Sequence, residues 1–436
     1  MKKCRVLVLV LLIAFVFSGC SFHLSSSLDE LIAPVSPFGE DAAIAKALDD
    51  YAGKYTLKTC VYGEYTSSFV KADLNGDGSA EAFAFYEPSS ALGTVYLAVM
   101  VPNDDDDTWR VTFSAPGEGS DVGEIDFADM TGDGRQEILV NWEVISNTSN
   151  NILSVYSYTD ENGGVELQAV GEPLSFSKYT SADLNHDGLN ELLLFNLPGS
   201  DTESASAVVY SMENGRVRRL GQTKLDSNVT AYSSVTVDSS DPDNPVVYAD
   251  AYKNNGSAMI TEIVYWSDYY DTIISPFYDY DTGLTRETFR ENTVQCRDID
   301  GDGKVEIPME PQKQSASAGQ QLTLIDWQVY RDYVLFHKTY GVLNRKDGYF
   351  LNLDDALFEN AVFAYDGETR ELTVRDAASD RVVCTLKTVF KADYSAQAYS
   401  GYTQFYEKAP FCYLVAVNEN DYGITADTVA DHFIEY

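Results

Sequence analysis

Apolar residues in this chain recur in short runs separated by turns rich in Asp, Asn and Gly. Runs such as Glu81 to Tyr86, Val95 to Val101, Glu137 to Trp142 and Leu192 to Phe195 are rich in aromatic and aliphatic residues and too short for helices, so they predict strands. The order of runs repeats. Ser68 to Ala72, Glu81 to Tyr86, Val95 to Val101 and Trp109 to Phe113 form one set, and Glu124 to Ala128, Glu137 to Trp142, Ile152 to Tyr158 and Val165 to Val170 form the next. A third set ends with Ala207 to Met212 and Arg216 to Leu220, joined by Glu213-Asn214-Gly215, a strong hairpin signal. A later set reads Thr293 to Arg297, Glu306 to Met309, Leu322 to Tyr330 and Tyr333 to Lys338. Four antiparallel strands per set make one sheet that cannot bury its own faces, so the sets must stack.

Between the first two strands of four sets lies the same nine-residue turn. Its copies are Asp73-Leu74-Asn75-Gly76-Asp77-Gly78-Ser79-Ala80-Glu81, Asp129-Met130-Thr131-Gly132-Asp133-Gly134-Arg135-Gln136-Glu137, Asp183-Leu184-Asn185-His186-Asp187-Gly188-Leu189-Asn190-Glu191 and Asp298-Ile299-Asp300-Gly301-Asp302-Gly303-Lys304-Val305-Glu306. The spacing is near 55 residues, and the last gap is about double, a period that means a propeller or array. A degenerate copy is expected at Val237 to Pro245, as a turn that keeps the hairpin without the ligand pattern.

Calcium takes six to eight hard oxygen ligands. Oxygens at positions 1, 3 and 5 of a tight turn converge on one point, and Gly at position 6 supplies the positive φ that wraps the chain. Position 7 offers its carbonyl, at Ser79, Arg135, Leu189 and Lys304, and Glu at position 9 closes the shell. An EF-hand closes at position 12, which here is Ala84, Val140, Leu194 and Met309, so these are not EF-hands. A plain turn needs one or two Asp, Asn or Gly, not acids at positions 1, 5 and 9 in four copies. Ca2+ is therefore the expected cofactor, with Thr131 the weakest of the position-3 ligands.

The pattern resembles the FG-GAP and VCBS-type repeats of integrin α-subunit propellers and bacterial surface proteins, on the Asp-x-Asn-x-Asp-Gly-x-x-Glu core. The resemblance covers about residues 60–343 and implies a β-propeller of about five four-stranded repeats. This sequence departs from integrin-type loops in closing with Glu rather than Asp, and in its degenerate copy.

At the start, Met1 to Arg5 is basic and Val6 to Phe17 is an apolar run of 12 residues, too short to span a bilayer and suited to a signal-peptide core. It ends in Phe17-Ser18-Gly19-Cys20, which resembles the lipobox of bacterial lipoproteins. That resemblance implies residues 1–19 as signal peptide, lipidation of Cys20 and localisation on the outer face of the cell membrane, with the bilayer as partner through that anchor. Residues 20–38 read as tether, and 39–59 as a short helix (Glu40 to Leu48) and lead-in. Beyond 343 the turn motif stops. Residues 344–436 predict a small α+β domain, or further divergent repeats, with strands Asn360 to Tyr365, Glu371 to Arg375, Arg381 to Val389 and Cys412 to Asn418, then a helix Ala426 to Ile434 capped by Thr425.

Composition narrows function. The net charge of −38 disfavours nucleic acid as partner, because phosphate binding needs Lys and Arg, and it favours cations. Tyr, at 30, and Phe, at 21, suit half-buried pleated surfaces. Cys60, Cys296, Cys384 and Cys412 remain in the exported chain; a Cys384–Cys412 disulfide and four buried thiols are the alternatives. The four His are isolated, and neither HExxH nor GxSxG occurs, so no enzyme is expected. A glycosidase needs only two carboxylates, and a cleft with two pKa-shifted acids away from the loops is what that class requires. The expected function is a calcium-stabilised binding or scaffold module for an envelope protein or glycan. The alternatives are a glycan-active enzyme or a purely structural lipoprotein. Trp142, Trp266, Trp327 and Tyr269-Tyr270 are candidates for stacking on sugar.

Overall fold

The computed structural model describes residues 39–103, 106–144, 151–161, 164–200, 202–238, 240–312 and 322–436. The expected signal peptide, the lipidation site Cys20 and the tether lie outside the described residues.

The fold is mainly β, built of antiparallel sheets taken in chain order. Sheet one contains Glu81–Pro88, Tyr96–Pro102 and Trp109–Pro116, and both Tyr55–Lys58 and Val70–Ala72 pair with its strand Glu81–Pro88. Sheet two contains Asp121–Ala128, Glu137–Glu143 and Asn151–Glu161, the last paired with Gly164–Ala169 and Leu174–Phe176. Sheet three runs Lys178–Ala182, Glu191–Asn196, Ser206–Glu213 and Arg216–Lys224; sheet four runs Ala231–Asp238, Val246–Lys253, Ala258–Ser267 and Thr272–Ile274. Sheet five joins Glu306–Met309, Leu322–Arg331, Val334–Asn344, Tyr349–Leu353 and Phe433–Glu435. Sheet six orders Ala361–Asp366, Glu371–Asp376, Val382–Phe390, Phe411–Val417 and Thr403–Lys408.

Side-chain alternation explains how the sheets stack. Successive residues of a strand point to opposite faces, so a continuous apolar run feeds two cores at once. In sheet two, Ile138, Val140 and Trp142 enter a core shared with Phe83, Phe85, Leu97 and Val99 of sheet one, while Leu139 enters one shared with Leu192 and Leu194 of sheet three. Leu193 and Phe195, the intervening residues, pack with Val247, Ala249 and Ile260 of sheet four. Tyr248 and Ile263 then meet Ile307 of sheet five, and Val342 and Leu351 of sheet five meet Phe363 and Leu372 of sheet six. Each such side chain, fully buried, contributes roughly 1.5–3 kcal/mol. The outer face of sheet one is covered by the helix Glu40–Ala52, through Ile44 and Leu48 against Ala84 and Met100.

The hairpin at Asn214-Gly215 forms with both residues at positive φ, and the degenerate copy is a hairpin pairing Asp238 with Val246. Other details differ from the sequence reading. The expected strand Thr293 to Arg297 is reduced to a single bridge, Arg297 to Glu306. The strand Val334–Asn344 runs across the expected boundary at 343/344, and sheet five takes in Tyr349–Leu353 and Phe433–Glu435 beyond it. Thr425 caps its helix with a reciprocal bond to Thr428, but the helix is Ala426–Asp431. Phe433 and Ile434 form a strand instead because they pair with Leu351 and Phe350, a tertiary contact stronger than local helix propensity. Cys384 and Cys412 are buried thiols, not a disulfide. They sit on adjacent strands but pair with Val417 and Val389, five positions out of register, or about 17 Å along the strand. Trp142 and Trp327 are fully buried, which removes them from any sugar platform, whereas Tyr269 and Tyr270 are exposed.

Candidate functional site

The four acidic turns share one internal wiring. The Glu at position 9 opens the second strand of its hairpin and turns Oε2 back onto the backbone N–H of position 2: Glu81 to Leu74 at 3.0 Å, Glu137 to Met130 at 2.9 Å, Glu191 to Leu184 at 2.9 Å and Glu306 to Ile299 at 3.0 Å. Asp73, Asp129, Asp183 and Asp298 at position 1 accept from the N–H of the position-6 glycine, at 2.9, 3.0, 3.1 and 2.9 Å. Asn75, Asn185 and Asp300 accept from position 5, and Asp77, Asp133, Asp187 and Asp302 accept from position 7. Both position 4 and position 6 adopt positive φ, and at position 4 this includes His186 at 63°. Position 4 went unremarked in the sequence, although three of its four copies are glycine.

Hydrogen bonds also join neighbouring turns at two places. Gln136 donates its N–H to Leu74 O at 3.0 Å, and Asp238, in the degenerate copy, accepts from Val305 N at 3.0 Å.

This wiring commits one oxygen of each position-9 carboxylate to the backbone and leaves the other for a further partner. In the third turn Glu191, fully buried, has Oε1 without a hydrogen-bond partner among the described residues, as has Asp183 Oδ1, and in the second turn Thr131 Oγ1 is likewise unpaired among them. A buried unpaired carboxylate oxygen carries a penalty that a bound cation removes. In the fourth turn the equivalent Oε1, of Glu306, accepts from the Lys338 ammonium at 2.7 Å. That ammonium also reaches Asp300 and Asp302 at 2.9 Å each, so it sits where positions 3, 5 and 9 converge. The side chain comes from the strand Val334–Asn344 of the same sheet, and nothing in the turn's own sequence announces it. Burial pushes Glu137 and Glu191 up to about 7, and raises Glu81 and Glu306 as well. Lys338, followed by burial that opposes it, holds Asp302 below the usual carboxylate range. The donor set is all hard oxygen, which fits calcium. Arg135, Leu189, Lys304 and Ser79 can contribute only backbone or hydroxyl oxygen at position 7.

A second constellation, not read from the sequence, lies away from the turns. A pocket of about 270 Å³ is lined by Tyr62, Gly63, Glu124, Asn141, Lys178 and Tyr179, with Val235 also at its wall. Its residues come from the loop between Tyr55–Lys58 and Val70–Ala72 and from sheets two, three and four, because Tyr62 N pairs with Gly123 O at 3.1 Å and so lays residues 61–64 on the first strand of sheet two. Gly63 sits there at a φ of 86°, which favours glycine, and a Cβ would press on the Glu124 side chain. The Lys178 ammonium sits 5.2 Å from the centre of the Tyr62 ring. The Tyr62 hydroxyl accepts from Asn141 and, at 3.2 Å, from Asn151. Asn141 is 1% exposed, and its Oδ1 has no partner among the described residues. Tyr179 donates to Asp126 at 2.6 Å. Burial, then the charge of Asp126, pushes Glu124 up to about 7 against the opposing pull of Lys178, and burial raises Asp126 too. These are two shifted acids away from the turns, although Tyr179 engages the Asp126 carboxylate.

The Glu124 shift has a measurable sign. An acid whose folded pKa lies above its unfolded value destabilises the fold when ionised, so stability falls as pH rises from about 4.5 to 7. Glu124→Gln is expected to remove about 1–2 kcal/mol of that fall, after allowance for solvent screening. Urea titrations at pH 5 and pH 8 check it; equal slopes in both proteins would refute the shift.

No family model matches the chain, and no curated protein does. Solved structures similar to it include Sqt1 from Saccharomyces cerevisiae, at 9% identity and a TM-score of 0.30, covering 82% of this chain and 86% of Sqt1. The rhamnogalacturonan lyase PL11 of Bacillus licheniformis is similar at 11% identity and a TM-score of 0.33, covering 72% of this chain and 68% of the lyase. Likenesses this distant carry no argument about activity.

Proposed function

We propose that the chain is an exported lipoprotein, anchored by lipid on Cys20, whose sheets form a calcium-stabilised propeller of about five FG-GAP/VCBS-like repeats that binds an envelope protein or glycan. The observation that carries the calcium reading is the Lys338 ammonium, held by Asp300, Asp302 and Glu306 at 2.7–2.9 Å. It marks the convergence point of the turn as a cation position. In turn three the equivalent atom, Glu191 Oε1, has no hydrogen-bond partner among the described residues. Stacked antiparallel sheets of four or five strands that share cores in chain order, with residues 61–64 and the first strands of sheets two to four converging on one pocket, support the propeller.

Calcium supplies compensation of the clustered carboxylates and a rigid link between the two strands that each turn joins. The chain's own part is to orient the oxygens. The glycines at position 6 wrap the backbone, the N–H groups fix the Asp at position 1, and the position-2 N–H aims the Glu. In turn four Lys338 competes for the same oxygens, so turns one to three take calcium ahead of it.

Metal stoichiometry tests this. The protein dialysed against low calcium is expected to retain three ions per chain, and Lys338→Met is expected to retain four, as read by atomic emission. Fewer than one ion in both proteins would leave the motifs as turns, and equal stoichiometry would remove Lys338 as a competitor.

A further inference from the structure

The pocket between Tyr62 and Lys178 deepens the proposed binding function, and the inference rests on that reading. Its volume of about 270 Å³ falls just below the usual range for drug-sized ligands, so one ring-sized unit fills it. Its polar groups form a mixed set. Asn141 Oδ1 is a buried acceptor without a partner among the described residues. Asn141 is held in place by its own Nδ2–H, which goes to the Tyr62 hydroxyl. Because that hydroxyl accepts from both Asn141 and Asn151, its O–H is left to donate. Lys178 brings three donors with a cation–π seat on Tyr62 and no ion pair within 4 Å among the described residues. The Glu124 carboxyl makes no hydrogen bond among the described residues, and bare backbone at Gly63 makes room for it.

Donors and acceptors lining one pocket match vicinal hydroxyl groups, each of which donates once and accepts. A phosphate or other strong anion is disfavoured: Glu124 and Asp126 outnumber Lys178. A purely apolar ligand would leave Asn141 Oδ1 unpaired, with the penalty that implies.

We propose that this pocket binds one neutral hexose unit of a glycan, with Asn141 Oδ1 and the Glu124 carboxyl accepting from its hydroxyls and Lys178 and the Tyr62 O–H donating to them. The glycan then enters where residues 61–64 and the first strands of sheets two, three and four meet. Specificity comes from hydroxyl geometry, since a site built to hydrogen-bond a hydroxyl rejects an analogue that lacks it.

The test is saturation-transfer NMR on the full chain in calcium, with glucose, galactose, mannose and N-acetylglucosamine as probes and galacturonate and alanine as charged comparisons. At least one neutral hexose is expected to give ring-proton signals. Affinity is expected to fall about tenfold or more in Asn141→Leu, which leaves the ligand hydroxyl unpaired. Lys178→Met, on a half-buried side chain with no ion pair among the described residues, is expected to weaken it as well while keeping the melting temperature. Absence of any hexose signal, signals from the charged comparisons alone, or signals unchanged in both variants would each overturn the proposal. The calcium dependence of the melt is read on the same samples. Hexose binding without it retires the calcium reading and keeps the pocket; the reverse retires the pocket alone.

Discussion

Arg290→Met is expected to destabilise the protein by about 3–5 kcal/mol, the cost of leaving a buried carboxylate without its cation. Arg290 and Asp250 are both fully buried and 2.7 Å apart. Arg290 lies in the excursion that follows sheet four, and it uses its whole guanidinium. Nη2 reaches Asp250 and Val294 O, Nη1 reaches Thr261 and Thr288 O, and Nε reaches Val294 O. Asp250 in turn accepts from Thr261 at 2.6 Å and from Cys296 N at 2.8 Å. The pair therefore fastens residues 288–296 to the second and third strands of sheet four, just before the fourth acidic turn begins. Removing the guanidinium strands Asp250 and frees three backbone and hydroxyl acceptors together. Urea unfolding measures the loss. A paired Arg290→Met, Asp250→Leu variant should recover part of it, because a buried pair replaced by apolar groups is often close to neutral. A single variant within about 1 kcal/mol of the parent would mean that the excursion is held by other contacts.

Calcium is expected to be the second large term. A ligand that binds only the native state stabilises by about 2.7 kcal/mol per site at a hundredfold excess over Kd. With turns one to three acting independently the total approaches about 8 kcal/mol, and chelator should remove it. Glu191→Gln keeps an acceptor for the Leu184 N–H but removes the charge, and should forfeit about one site's share, near 2.7 kcal/mol. Thermal melts with calcium and with chelator read both effects. An unchanged melt in calcium would reduce the repeats to turn chemistry.

Much of the architecture was legible because it depends on local alternation. Leu192-Leu193-Leu194-Phe195 has no polar face, which already requires cover on both sides, and the structure supplies sheets two and four. The acidic turns were legible because their bonds close within nine residues. What escaped the sequence depends on distance along the chain. Lys338 enters the fourth turn from 32 positions beyond Glu306. The pocket assembles Tyr62, Glu124, Asn141 and Lys178 from four segments, none of which carries a motif. Its one signal was a lysine at the head of a sheet's first strand in a strongly acidic chain. The strand Thr293 to Arg297 failed for a related reason: the chain there answers to Asp250 across the sheet rather than to its own β propensity. Phe433 likewise left the helix predicted for it because its partner, Leu351, was invisible locally.

The pairing of Phe433–Glu435 with Tyr349–Leu353 has a kinetic consequence. Sheets one to four are assembled from neighbouring hairpins, whose short loops close fast and at little entropic cost. Sheet five alone must wait for a strand about 80 residues downstream, a contact of much higher order than the rest. The sequential hairpins can therefore form early, while the bundle of sheets five and six stays ajar until that last strand arrives. In a refolding experiment, Tyr349 and Phe433, whose rings lie 5.1 Å apart, belong to the final phase.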